Sequence, residues 1–75
     1  MDFEEIQCDY LEKEIFDNIK ENTIVYTEEF TYMIFPEYKL VITECYDRFA
    51  PVERYYYSYE EFIKENFEEE EEKWL

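Results

Sequence analysis

The stretch that most constrains the fold is residues 23–46, TIVYTEEFTYMIFPEYKLVITECY, where β-branched and aromatic residues dominate. Such residues suit a pleated, half-buried surface. Period-two alternation puts Phe30, Tyr32 and Ile34 on one face and Thr31, Met33 and Phe35 on the other. The next run sets Leu40 and Ile42 against Val41, Thr43 and Cys45. Pro36-Glu37 between the runs reads as a hairpin turn, with proline fixing φ. The chain contains no glycine, so a tight primed turn is disfavoured and a longer or irregular loop is expected. After the connector DRFAP, the segment 52–58 (VERYYYS) reads as a third strand.

The ends have a different texture. Leu11, Ile15 and Ile19 recur at four-residue spacing with Phe16 beside them, which predicts a helix from about Asp9 to Glu21, ended by Asn22. Two capping boxes compete for its start, Asp2 with Glu5 and Asp9 with Glu12. Phe3 and Ile6 would fall on another face of that helix, so the lead-in is left unassigned. At the other end, Ser58 with Glu61 forms a capping box that starts a C-terminal helix. In it Tyr59, Phe62, Ile63, Phe67 and Trp74 share one side, and Glu60, Glu61, Glu65, Glu68, Glu69 and Glu72 populate the rest. The early glutamates suit the positive end of the helix dipole, whereas those at 70–72 oppose it. The expected fold is α+β in one small domain, residues 1–75. A three-stranded (two to four) antiparallel sheet is flanked by an N-terminal and a C-terminal helix, which cover one of its faces.

Charge is the feature this fold must carry. There are 7 basic and 22 acidic residues, a net −15, whereas a magnitude of about 2–8 keeps a small domain soluble. Self-repulsion on this scale opposes compaction. A high aromatic content, 23%, offsets it by supplying core area from few side chains. Residues 1–22 and 59–75 each carry a net −6, so the ends hold 12 of the 15 net charges. A helix over residues 59–73 would be about 22 Å long, and one DNA strand presents roughly six or seven phosphates over that length. Eight glutamates occupy the same span.

Catalytic chemistry is excluded largely by composition, and the chain is expected not to be an enzyme. With no histidine there is no partner for Cys8 or Cys45 as a nucleophile, and without glycine neither a GxSxG elbow nor a P-loop can form. Paired carboxylates are plentiful, yet 75 residues leave little room for the cleft glycoside hydrolysis needs. No EF-hand pattern occurs, and no cofactor or metal site is expected. The two cysteines read as small buried hydrophobes in a reduced setting. No apolar run approaches membrane-spanning length, and the acidic N-terminus is unlike a signal peptide. A cytoplasmic protein is expected.

Short length, acidic ends (EEIQCDYLEKE and YEEFIKENFEEEEEKWL), aromatic α+β texture and missing catalytic residues resemble the phage-encoded DNA-mimic inhibitors. These include anti-CRISPR and anti-restriction proteins and uracil-DNA glycosylase inhibitors. The resemblance implies evasion of host defence by blocking a basic nucleic-acid-binding groove, such as that of a bacterial nuclease or defence complex. On the residues of this chain, Glu60, Glu61, Glu65, Glu68, Glu69 and Glu72 would stand in for phosphates. Glu28, Glu29, Tyr55 and Tyr57 would add shape and specificity. Nucleic acid and anionic membranes are repelled by the same field and are not expected partners. Pairing of two copies, which would lengthen the acidic surface, is left open by the sequence. The alternatives are an immunity or antitoxin-type partner of one basic toxin, and a scaffold protein whose charge maintains solubility.

Overall fold

The computed structural model describes residues 2–47 and 50–67. In chain order these form β1 (Glu4–Gln7), α1 (Lys13–Asp17), β2 (Thr23–Tyr26), β3 (Phe30–Phe35), a 3₁₀ turn (Pro36–Tyr38), β4 (Leu40–Asp47), β5 (Ala50–Ser58) and α2 (Tyr59–Asn66). The strands make one five-stranded sheet in the order β1-β2-β3-β4-β5. The pair β1–β2 is parallel and the other pairs are antiparallel, so the fold is α+β with a mixed sheet.

This corrects the expected sheet in two places. The lead-in before Asp9 is a strand, with Ile6 opposite Val25 and Glu4 opposite Thr23. That placement is why Phe3 and Ile6 would not fit a helix face. The run 23–35 is also two strands, because the chain reverses at Thr27–Glu29. There the Thr27 hydroxyl donates to the Phe30 carbonyl (2.9 Å) and accepts from the Phe30 amide (3.1 Å). A side chain thus does the bonding that a glycine or asparagine turn would otherwise signal.

The predicted helix over 9–21 contracts to Lys13–Asp17. Glu12 is its N-cap without a side-chain cap bond, so the Asp9–Glu12 box does not form; Asn18, not Asn22, closes the helix, its amide bonding the Ile15 carbonyl. Leu11 and Ile19 still reach the core, from irregular segments on either side of the helix. Four-residue spacing therefore marks the right buried residues here and overstates the helix that carries them.

The hairpin of β3 and β4 follows the predicted alternation. Tyr32 and Ile34 with Val41 and Thr43 point into the core, while Thr31, Met33, Leu40 and Ile42 point away. Its loop is four residues, and Lys39 takes φ 52°, the left-handed conformation that glycine would fill at lower cost. The Lys39 carbonyl accepts the Tyr59 amide at 2.9 Å, fastening the start of α2 to the hairpin. The predicted capping box is present, with the Glu61 amide donating to Ser58 Oγ (3.1 Å) and the Ser58 amide to Glu61 Oε1 (3.2 Å).

Both helices pack on one face of the sheet. Val25, Ile34 and Val41 on the central strands are 0% exposed, and Phe62 from α2 is 1% exposed. Phe16 of α1 meets Tyr59, Phe62 and Phe67 with ring centroids 4.9, 5.3 and 5.7 Å apart. Such tilted pairs add about 0.5–1.5 kcal/mol each beyond area burial, which suits a short chain with few aliphatic side chains to bury.

Candidate acidic binding surface

The sheet and helices turn nearly all the described carboxylates outward. Of the acidic side chains whose burial the structure gives, Glu44 is buried and the other fifteen are exposed. Two ion pairs form among the described residues, Lys13–Asp17 and Arg54–Glu44. The first joins exposed side chains one helical turn apart, and such pairs contribute about 0.3–0.5 kcal/mol. The second places Arg54 Nε 2.8 Å from Glu44 Oε2 across adjacent strands. Hydrogen bonding to Glu44 pushes the guanidinium pKa up, so Arg54 stays charged.

On α2, Glu60, Glu61 and Glu65 are exposed, and Glu61 and Glu65 stand one turn apart on the same stripe. Glu61 has a second duty, because its carboxylate closes the cap. The buried side of the helix is Phe62, flanked by half-buried Tyr59, Ile63 and Phe67, so docking fixes which way the glutamates face. Glu68, Glu69 and Glu72 lie outside the described residues, as does Trp74.

Glu28 and Glu29 sit at the tip of the β2–β3 turn, both exposed. Antiparallel register puts that turn at the opposite end of β3 from Phe35, whose partner Leu40 pairs with Ser58 at the start of α2. The length of β3, about 17 Å, separates that turn from the start of α2. The topology adds Asp9 and Tyr10 beside Glu28 and Glu29, and these four with Thr27, Phe30 and Tyr32 line an open cleft of ≈ 280 Å³. The sequence carried no signal for this neighbour, because Asp9 reaches the turn only through the parallel β1–β2 pair.

The tyrosines of β5 divide by face. Tyr57 is half-buried with its ring 6.0 Å from Phe62, so it contributes to the core. Tyr55 shares that side of the sheet but is 46% exposed. Its hydroxyl donates to Glu53 Oε1, and this bond, followed by the Glu53 charge, pushes the phenol pKa up and keeps it neutral. Tyr56, on the opposite face and 62% exposed, was not among the predicted site residues.

Cys8 and Cys45 are free and half-buried. Burial, then the charges of Asp9 and Glu12, push the Cys8 thiol pKa up, away from the reactive thiolate. Among the described residues, no group of three or more cysteine, aspartate and glutamate side chains is placed to hold a metal ion. No helix of the described residues is long and apolar enough to cross a membrane. What the geometry offers is a set of outward carboxylates on a sheet-backed platform. No protein-family model, no curated protein and no solved structure matches the chain.

Proposed function

We propose that the protein is a DNA-mimic inhibitor that occupies the basic nucleic-acid-binding groove of a bacterial defence protein, acting in the host cytoplasm. The observation that carries this reading is the outward display of fifteen carboxylates on a packed α+β platform whose chain carries net −15. A fold that tolerates this self-repulsion gains a long-range field that steers cationic partners and repels phosphate. The acidic groups, Glu60, Glu61 and Glu65 on α2 and Glu28 and Glu29 on the β2–β3 turn, would contact such a groove. Tyr55 would add an aromatic contact, since tyrosine is enriched where interfaces need stiff amphipathic area. Glu68, Glu69 and Glu72 extend the same acidic segment in sequence.

The experiment is competition. The protein should displace duplex DNA from its target, and binding should weaken as salt shortens the Debye length from about 10 Å at 0.1 M to about 3 Å at 1 M. A partner held equally tightly in excess duplex DNA would instead support a dedicated toxin-neutralising role. Retention of full activity after Glu→Gln changes at 28, 29, 60 and 65 would leave the charge with solubility alone.

A further inference from the structure

One cleft departs from the acidic character of the rest. It opens where the end of α1, the β3–β4 loop and the first turns of α2 meet, and its volume is ≈ 270 Å³. Phe16, Ile19, Pro36, Tyr59 and Ile63 give it an apolar wall. Lys20 and Lys39, two of the chain's seven basic residues, line it as well. Among the described residues the one acid in the lining is Asp17, which already pairs with Lys13 at 3.0 Å. The cleft beside the β2–β3 turn is the reverse, lined by Asp9, Glu28 and Glu29 and by no base. Glu37 and Glu60 adjoin the cationic cleft in sequence but are not part of its lining.

Two details of its wall are unfavourable for folding alone. Tyr59 has a buried hydroxyl with no hydrogen-bond partner, whereas buried polar groups nearly always have one. Burial pushes its phenol pKa up, so the group stays a protonated donor. Lys39 holds a left-handed backbone, φ 52° and ψ 48°, which glycine or asparagine would adopt more readily. In that conformation the Lys39 ammonium lies over the Tyr59 ring, 5.7 Å from its centroid. Lys20 uses one of its three N–H donors on the Asp17 carbonyl at 3.2 Å. Among the described residues neither lysine is in an ion pair.

We propose that this cleft binds a small organic acid, an aryl carboxylate whose ring lies on the apolar wall and whose carboxylate meets the ammonium groups of Lys20 and Lys39. An apolar concavity with a few convergent polar groups is how small-ligand sites are built. The bound carboxylate also gives the Tyr59 hydroxyl its missing acceptor. Size fits this occupant. A cavity of about 150 Å³ holds benzene, so ≈ 270 Å³ admits a ring with a short acid-bearing chain. The sign of the charge is decided locally. An ammonium in contact lies about 3 Å from the carboxylate, within the Debye length of about 8 Å at 0.15 M salt. The acids of the β2–β3 turn stand beyond the length of β3, about 17 Å, and are largely screened.

The test is titration of the full chain with phenylpropionate, followed by backbone amide chemical shifts, with phenylpropionamide as the uncharged control. Saturable binding with shifts at Lys39, Tyr59 and Ile63 is expected. The uncharged control should bind about tenfold more weakly, the loss expected for a hydrogen-bonded charge. Tyr59→Phe removes an unpaired hydroxyl and Lys39→Gly relieves the left-handed backbone, so neither should lower the melting temperature of the ligand-free chain. Each should nonetheless weaken phenylpropionate binding about tenfold. Affinity lost without stability lost separates a binding role from a merely structural one. Glu28→Gln, at the far turn, should leave affinity unchanged. No saturable binding up to about 10 mM probe overturns the proposal. So does equal affinity for the uncharged control, or full affinity in both variants. None of these readouts depends on a macromolecular target.

Discussion

Replacing Phe62 by alanine should remove the side chain on which α2 depends. Phe62 is 1% exposed, and the rings of Phe16, Tyr32, Tyr57 and Phe67 surround it with centroids 5.3, 5.6, 6.0 and 5.7 Å away. A buried Phe→Ala change costs about 3–5 kcal/mol from lost transfer energy and the cavity left behind. The upper half of that range applies, because Tyr32 and Tyr57, fixed on β3 and β5, cannot collapse into the gap. A 75-residue chain has a total stability of only about 4–11 kcal/mol, and net −15 works against it. Phe62→Ala should therefore be largely unfolded in mild urea, whereas Phe62→Leu, nearer in volume, should lose under about 1.5 kcal/mol. Urea titrations followed by far-ultraviolet circular dichroism at fixed salt give both values. A loss below about 1 kcal/mol for Phe62→Ala, with an unchanged slope, would show that α2 is not held on the sheet. The account of fixed, outward glutamates on that helix would then fail.

Ser58→Ala deletes the cap acceptor for the Glu61 amide and should cost about 0.5–2 kcal/mol, measured in the same titration. Arg54→Ala strips the buried Glu44 carboxylate of a charged partner and should lower stability, the half-exposed guanidinium limiting the loss, as read in the same titration. Adding Glu44→Gln should recover part of it, and a double-mutant cycle that shows no coupling refutes the assignment. Burial pushes the phenol pKa of Tyr32 and Tyr59 above the ordinary 10.0. The folded state thus holds these protons longer than the unfolded chain, and their contribution is intact below pH 10 and lost as pH rises through the folded values. Stability should fall from about pH 10 upward, with some of the nine tyrosines ionising late by phenolate absorbance. Smooth titration of all nine together with no loss of stability contradicts this.

The strand faces of the β3–β4 hairpin, the third predicted strand and the Ser58 cap were legible because each rests on local chemistry. Alternation, β-branching and a serine three residues before a glutamate all act within a few residues. Strand β1 was not legible. Glu4–Gln7 has one half-buried apolar residue, Ile6, and three exposed polar ones, and it becomes a strand only by pairing with β2 sixteen or more residues later. The turn at Thr27–Glu29 was hidden because the Thr27 hydroxyl replaces the usual glycine or asparagine signal. For the candidate surface, the exposed glutamates of α2 could be read from amphipathicity. The placement of the Glu28–Glu29 turn at the far end of β3 from the start of α2, and the nearness of Asp9 to Glu28, follow from strand order. Tyr56 was not among the predicted site residues because three consecutive tyrosines look alike until register assigns their faces.

The central claim is that the outward carboxylates take the place of phosphates. Its most direct test is to immobilise the intact chain, load a bacterial lysate at low salt and elute first with excess duplex DNA, then with concentrated salt. The account predicts that a nucleic-acid-binding protein leaves in the DNA eluate and is not captured by a chain with glutamine at 28, 29, 60 and 65. A captured partner that ignores DNA, withstands salt and binds the glutamine variant equally well would contradict it.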